Sequence, residues 1–190
     1  MPRNGEEVHR RLLQAALELF RERGYDQTTA AEIAARAGVT ERTFFRHFAD
    51  KREVLSSGSD DLRGVLVQRI LHVPNVVKPL QVVITVLTEF NWESLGSRDF
   101  LRQRHAVISA SPELLERDLI KHHSIAVGFA DALRQRGVDA DVSELAARIG
   151  IQLFIIAYET WLVAGDKADL ATISESIMAD LATIVPISSM

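Results

Sequence analysis

Cysteine is absent from the 190-residue chain, so neither a disulfide framework nor a thiolate metal site is available to it. Aromatic residues make up only 6% of the sequence, and proline occurs five times. Because 47% of the residues are hydrophobic, the chain can still bury a core without covalent cross-links. The composition fits a reducing compartment and allows either one domain or two small ones.

Long hydrophobic runs are also missing. The first residues lack the apolar stretch of a signal peptide, and no later stretch reaches the unbroken apolar length of a membrane span. We therefore expect a soluble, cytoplasmic protein without a membrane partner. The formal net charge is −4, yet residues 1–52 are slightly basic and the remainder is acidic. This asymmetry favours a polyanion near the N-terminal segment but does not decide function by itself.

Catalytic groups are scarce. None of the six histidines belongs to a His-Glu-x-x-His motif. His122 and His123 are adjacent, so a helix would point them in different directions. Nucleophile, base and metal ligands do not occur as a recognisable set. The sequence therefore predicts that the chain is not an enzyme, and it predicts neither a cofactor nor a metal site.

Strand signals are nearly absent, because the Val- and Ile-rich stretches lack hairpin turns and run too long between breaking residues. The sequence predicts an all-α fold of about nine helices. The first three are expected at residues 6–23, 30–37 and 41–48, and the fourth is expected to start at Lys51. Later helix breaks are expected at residues 74–79, 94–97, 111–112, 137–141 and 165–167.

A helix-turn-helix pattern is present in the sequence Ala-Glu-Ile-Ala-Ala-Arg-Ala-Gly-Val-Thr-Glu-Arg-Thr-Phe-Phe-Arg-His-Phe, which ends at Phe48. Its small alanines let two short helices approach closely, and Gly38 supplies the positive φ of a sharp turn. Thr40 is placed to cap the second helix, whose first residues would enter the major groove of DNA. Phe44 and Phe48 are four residues apart and are expected to point together into the core.

Three motifs within residues 12–55 carry a family resemblance. They are Ala-x-x-Leu-Phe-x-x-x-Gly-Tyr/Phe-x-x-Thr at residues 16–28, Ile-Ala-x-x-Ala-Gly-Val at residues 33–39, and Phe/Tyr-x-His-Phe-x-x-Lys at residues 45–51. Together they resemble the DNA-binding domain of the TetR family of bacterial transcription regulators. Such dense matching over about forty residues is far more specific than helix-turn-helix spacing alone.

The resemblance implies an N-terminal, three-helix DNA-binding domain at residues 1–52 and a helical ligand-binding and dimerisation domain at residues 53–190. Arg42 and Thr43 would face base edges, whereas the phosphates would be held by other side chains of the motif. The family usually has Tyr where this chain has Phe45, so one phosphate hydrogen bond is lost. The predicted DNA-binding residues are Thr29, Thr40, Arg42, Thr43, Phe45, Arg46, His47 and Lys51, of which Thr29, His47 and Lys51 would contact phosphates.

The last two helices predict a dimer. Residues 149–163 are apolar almost all round, which indicates a helix covered on two faces, and the next helix aligns its apolar residues along one line. Two such helices fit a two-fold, four-helix interface, which is also how TetR-like proteins dimerise. The predicted dimer-interface residues are Phe154, Ile173, Ile177 and Leu181.

The segments between residues 80 and 136 would enclose a pocket. Arg104 lies on an otherwise apolar helix face, where a buried charge is costly unless it meets an anion, so it is predicted to orient a ligand. The alternatives are a salt bridge to Glu89 or Glu93, or a side chain that extends to solvent. The predicted ligand-binding residues are Phe90, Arg104, Ile108, Phe129, Tyr158 and Trp161.

Residues 100–162 are similar to the C-terminal domain of TetR-type regulators related to the mycofactocin-system regulator, for which acyl-CoA-like ligands are implied. The similarity rests on Arg104, Val107, Ile108 and residues 111–114 and 157–162. The chain lacks the tyrosine and tryptophan that many such relatives carry around residues 122–126.

The predicted partners are double-stranded operator DNA, a second copy of the chain in a homodimer, and a small effector that is acyl-CoA-like or another apolar ligand. The expected function is that of a repressor released from a palindromic operator by this effector. A helix-turn-helix regulator without a small-molecule effector is the alternative.

Overall fold

The structure is a computed structural model that describes residues 3–56, 59–74, 78–165 and 167–184. Within these ranges the chain forms nine α-helices, one short 3-10 helix and no strand, which confirms the predicted all-α class. None of the helices in the described residues is both long and apolar enough to cross a membrane. The helices are α1 (Arg3–Arg23), α2 (Ala30–Arg36), α3 (Glu41–His47), α4 (Ser59–His72), α5 (Pro79–Thr88), the 3-10 helix (Trp92–Leu95), α6 (Arg98–Ala110), α7 (Pro112–Gln135), α8 (Ala140–Val163) and α9 (Leu170–Ile184).

The predicted start of the fourth helix at Lys51 is wrong. Residues 51–56 form turns instead, and α4 begins at Ser59. The backbone N–H of Glu53 donates to the carbonyl of Asp50 at 3.3 Å, and that of Ser56 donates to the carbonyl of Glu53 at 2.9 Å. These bonds span three residues, which gives a tighter turn than the four-residue spacing of an α-helix.

The described chain divides into two compact units. The N-terminal unit comprises Met1–Asp60 and Phe100–Ile120, and the C-terminal unit comprises Asp61–Asp99 and Lys121–Met190. Helices α6 and α7 therefore contribute residues to both units. The expected boundary after residue 52 concerns function and stays a prediction.

The core of the N-terminal unit is built where α1 packs on α2 and α2 packs on α3. Leu12, Ile33 and Phe44 are fully buried there. Residues of α6 and of the first turn of α7 complete the same core, including Ile108 and Leu114. The short helices of the helix-turn-helix are thus stabilised by side chains that follow them in sequence by more than fifty positions.

The core of the C-terminal unit is built around α8, which packs on both α5 and α9. Two-sided packing explains why the sequence of this helix is apolar on more than one face. Phe129 and Leu133 of α7 and Leu162 of α8 are among its largest fully buried side chains. Large aliphatic and aromatic side chains, rather than polar contacts, therefore hold this unit together.

Candidate DNA interface and effector region

The turn between α2 and α3 depends on Gly38, whose φ is 68°. L side chains rarely adopt this angle. The guanidinium of Arg11 also occupies the space a Cβ would need, with its Nη2 only 2.6 Å from the ideal Cβ position. Arg11 donates through Nη2 to the carbonyl of Ala37 and so satisfies an acceptor at the end of α2. Arg11 was not selected from the sequence, because no local pattern connects it with a turn 26 positions away.

Threonine caps begin both helices of the motif, and the Thr40 cap confirms the prediction for α3. Oγ1 of Thr29 accepts the N–H of Glu32 at 3.2 Å, and the Glu32 carboxylate accepts the N–H of Thr29 at 2.9 Å, which makes a capping box. At α3, Oγ1 of Thr40 accepts the N–H of Thr43 at 3.2 Å, and the two hydroxyls lie 3.0 Å apart. The caps fix the direction in which each helix begins.

Helix α3 divides its residues between a core face and an outer face. Phe44 and Phe48 are buried, whereas Phe45 is 52% exposed and lies beside the exposed Arg42 and Arg46. The ring of Phe45 packs edge-on against that of Phe44, with centroids 5.3 Å apart. Three of the predicted DNA-binding side chains, those of Arg42, Phe45 and Arg46, therefore lie on the accessible side of a helix that is anchored in the core. Their contact with DNA stays a prediction.

Lys51 is held against Tyr25. Its Nζ donates to the carbonyl of Tyr25 at 2.7 Å and lies 3.9 Å from the centroid of the tyrosine ring. Burial, and next the negative charge of Glu113, raise the pKa of Tyr25 to about 12, so the phenol is neutral at physiological pH. The ammonium group predicted to bind phosphate is thus positioned by a neutral aromatic ring.

His47, the last residue of α3, lies beside His9 of α1. The two ring centroids are 6.0 Å apart, and the ring of His9 also packs on Phe48 at 4.8 Å. Nε2 of His47 is buried and has no hydrogen-bond partner among the described residues. Burial, and then the positive charge of His47, lower the pKa of His9, whereas Glu53 opposes the shift. The lowered pKa favours the neutral form of the His9 ring.

Two arginines from later helices bind the turns that follow α3. Arg104 of α6 donates through Nε at 2.7 Å, and through Nη2, to the carbonyl of Leu55. Arg117 of α7 donates through Nε to Oγ of Ser56 at 2.9 Å, and its Nη1 lies 3.9 Å from Oδ2 of Asp50. The main partner of Arg104 is therefore a backbone carbonyl, which was not among the alternatives considered from the sequence. Its contact with a ligand stays a prediction.

Three of the predicted ligand-binding residues belong to an aromatic cluster in the C-terminal unit, namely Phe90, Tyr158 and Trp161. Trp92 joins them, with ring centroids 4.9 Å from Phe90 and 5.4 Å from Tyr158. Tyr158 and Trp161 are 5.7 Å apart. Nε1 of Trp92 donates to the carbonyl of Leu87 at 2.7 Å, which fixes the indole. Trp92 was not selected from the sequence, although its place just after Phe90 at a helix break was a usable signal.

The other predicted ligand-binding residues are not members of this cluster. Arg104 and Ile108 belong to the N-terminal unit, where Ile108 is part of the core. Phe129 is fully buried in the core of the C-terminal unit. A groove of about 560 Å³ in the N-terminal unit lies beside α1 and α6, and none of the six predicted residues lines it. Ligand contact by any of the six stays a prediction.

The predicted dimer-interface residues differ in their exposure. Ile173, Ile177 and Leu181 are half-buried on one side of α9, whereas Phe154 is buried and stacks on Trp92 at 5.0 Å, so it offers little surface to a partner. Helix α8 also presents an outward apolar stripe that was not selected from the sequence. Its exposed members are Val142, Leu145, Ile156 and Val163.

Comparison with known proteins agrees with this arrangement. Residues 12–57 match the sequence model of the bacterial regulatory proteins of the tetR family. The HTH-type transcriptional repressor Rv3405c of Mycobacterium tuberculosis is 43% identical over 72 residues, which is 38% of this chain and 38% of that protein. The matched region therefore covers well under half the length of this relative.

Two solved structures share the fold over nearly the whole chain. Thermus thermophilus FadR, a TetR-family transcriptional repressor in complex with lauroyl-CoA, has a TM-score of 0.56 and 24% identity and covers 96% of this chain and 97% of its own. Pseudomonas aeruginosa NalD, the secondary repressor of the MexAB-OprM multidrug efflux pump, has a TM-score of 0.62 and 20% identity and covers 95% and 96%.

The capped helix-turn-helix and the all-helical remainder fit the fold that the chain shares with these two structures. The match of residues 12–57 shows that this segment is similar to the bacterial regulatory proteins of the tetR family. These relatives are named as regulators or repressors, which supports the expectation that the chain is not an enzyme.

Proposed function

We propose that the protein is a dimeric transcriptional repressor of the cytoplasm, which binds a palindromic operator through α3 and leaves it when a small, mostly apolar effector binds. The outer face of α3 carries this proposal. Arg42, Phe45 and Arg46 are exposed there, while Phe44 and Phe48 fix the helix in the core. A second helix anchored in this way enters the major groove with its N-terminal residues at the base edges.

Base and phosphate contacts are divided between different residues in this proposal. Arg42 and Thr43 read base edges, and Phe45 makes only sugar or methyl contact because it lacks a hydroxyl. Lys51 binds a phosphate with an ammonium that Tyr25 already positions. The remaining phosphate contacts come from the exposed or half-buried side chains at the starts and ends of α2 and α3, namely Thr29, Thr40, Arg46 and His47.

The dimer is formed by α8 and α9 in this proposal. Val142, Leu145, Ile156 and Val163 expose apolar surface on α8, and α9 adds the line that contains Ile177. Large contiguous apolar surface is costly in water and is typical of a protein interface. A two-fold dimer presents two copies of α3, which is why the operator should be palindromic.

The effector is proposed to be amphipathic, acyl-CoA-like or another mostly apolar molecule. The aromatic cluster of Phe90, Trp92, Tyr158 and Trp161 offers large apolar surfaces of the kind that line small-molecule sites. FadR, which shares the fold, was solved with lauroyl-CoA. An effector can lower operator affinity only through its different affinity for the two states, a coupling typically worth about 1–3 kcal/mol.

Selection of binding sites from random duplexes, followed by anisotropy titrations, tests the DNA-binding part. We expect a palindrome with half-sites roughly 34–36 Å apart. Arg42→Ala should reduce discrimination between bases by roughly 1–3 kcal/mol, whereas Lys51→Ala should weaken all sequences alike and lower the salt slope by about one. Arg134→Ala, which removes one positive charge on α7, is the matched control. Protection of one asymmetric site by a monomer would contradict the proposal.

Titration of the protein–operator complex with lauroyl-CoA, and with a panel of apolar compounds, separates the two kinds of regulator. A saturable fall in operator affinity supports the ligand-responsive repressor, and the operator should weaken effector binding by the same factor. Operator affinity that no compound changes would favour the regulator without a small-molecule effector.

A further inference from the structure

The six arginines of the C-terminal unit differ in whether they have a hydrogen-bond or ion-pair partner among the described residues. Five of the six have an acceptor or an acidic partner among the described residues. Arg63 of α4 forms no hydrogen bond or ion pair with any residue that the structure describes, and its Nε is buried. The five paired arginines are Arg69, Arg98, Arg134, Arg136 and Arg148.

The surroundings of Arg63 make this situation costly. Leu62 and Leu66 are its buried neighbours on α4, and Phe129 is buried on α7. A buried guanidinium N–H without an acceptor loses its hydration and gains nothing in return. Native proteins therefore pair nearly all such groups with protein, water or a bound ligand.

The opposite helix leaves a gap for the guanidinium at Gly128 of α7. A Cβ at this position would lie 3.1 Å from Nε and 3.6 Å from Nη2 of Arg63, and 2.9 Å from Cγ2 of Val67. Any other residue would therefore push against the arginine. The glycine places the guanidinium close to the α7 backbone without providing it with an acceptor.

We propose that the guanidinium of Arg63, which lies against Gly128, binds the oxyanion group, a carboxylate or a phosphate ester, of an amphipathic effector. Guanidinium binds such groups through parallel N–H···O bonds, and the half-buried Val67 beside Gly128 offers apolar surface to an aliphatic chain. The inference rests on the proposed function only in calling the bound molecule an effector. It assigns to Arg63 the recognition of charge that the sequence favoured for Arg104.

Calorimetric titration of the protein without DNA, using decanoate, decyl phosphate and 1-decanol, tests the proposal. The wild type should bind at least one of the two anions more tightly than decanol. Arg63→Gln should weaken that anion about tenfold or more and leave decanol unchanged. Arg63→Lys, which keeps the charge but not the planar fork, should fall between the two. Arg69→Gln is the matched control on the same helix, because Arg69 already donates to the Glu89 carbonyl.

Gly128→Ala is a second variant that leaves every charge in place. Its Cβ should displace the guanidinium and weaken the anion about as much as Arg63→Lys does. Circular dichroism melting of each variant reports on folding separately. A preference for decanoate over decyl phosphate, or the reverse, identifies which oxyanion the site accepts.

Three outcomes overturn the proposal: failure of the wild type to bind either anion, equal anion affinities of the wild type and Arg63→Gln, and an equal loss for decanol. Anion binding that depends on Arg63 but never alters operator affinity would support the anion site and refute the effector role. If another compound released the operator and the protein bound neither anion, the proposed function would be supported and the anion site refuted.

Discussion

The two units differ in the length of their helices and in what holds those helices in place. In the N-terminal unit, two seven-residue helices are fixed by threonine caps, by the Gly38 turn and by arginines bound to backbone carbonyls. In the C-terminal unit, long helices are held by apolar packing around α8, and the guanidinium of Arg63 is left without a partner among the described residues. Short helices bury little surface and depend strongly on such contacts, whereas the long helices of the C-terminal unit add extensive apolar packing to their own caps and arginine–carbonyl bonds.

The first prediction tests whether the C-terminal unit alone forms the dimer interface, and it has the largest expected effect. Ile177→Glu or Leu181→Glu should yield monomers and abolish operator binding, because a buried, uncompensated charge costs about 3–5 kcal/mol. The N-terminal unit should keep its fold. Light scattering gives the mass, and anisotropy gives the operator affinity. Ala179→Glu, on the opposite side of α9, is the control and should remain dimeric. Intact dimers from both Ile177→Glu and Leu181→Glu would place the interface elsewhere.

The second prediction makes a glycine-to-alanine substitution in each unit and expects opposite changes in the free energy of unfolding. Gly38→Ala should lower the free energy of unfolding by about 1–2 kcal/mol, because φ at this position is 68° and Arg11 fills the Cβ space. Gly64→Ala should raise it by roughly 0.5–1 kcal/mol, since a Cβ on this helical residue would meet nothing within 4 Å. Urea titrations at matched protein concentration measure both. A loss of stability in both variants would refute the contrast.

The third prediction concerns pH and has the smallest expected effect. Burial and His47 lower the pKa of His9 below 6.5 in the folded state, so the unfolded chain binds more protons as the pH falls through that value. Stability contributed by His9 is therefore complete above about pH 6.5 and is lost at lower pH. His9→Phe keeps a ring against Phe48 and should flatten the pH dependence of the unfolding midpoint between about pH 5 and pH 7. An unchanged dependence would contradict this assignment.

The sequence predicted structure best where each role depends on near neighbours. Thr40 caps α3 through a residue three positions away, and Gly38 is recognisable because the turn requires a positive φ. Arg104 could not be assigned in this way, because its partner Leu55 lies 49 positions earlier. The start of α4 was misplaced for the same kind of reason, since the turns after Lys51 are held partly by α6 and α7.

The candidate DNA interface was therefore selected more completely than the effector region. A motif preserves the order of the side chains along α3, whereas an effector site collects residues from separate helices. Arg63 illustrates the limit, because the space for its guanidinium depends on a glycine of α7 that no local pattern connects with α4.

The participation of α6 and α7 in the N-terminal core has a consequence for engineered exchange of DNA specificity. A chimera that replaced only residues 1–52 would cut through one core, separating Phe44 from Ile108 and Leu114. It would also require the foreign segment to present a carboxylate to Arg117 at the position of Asp50. The exchangeable module in this protein is therefore discontinuous, made of the N-terminal helices together with Phe100–Ile120.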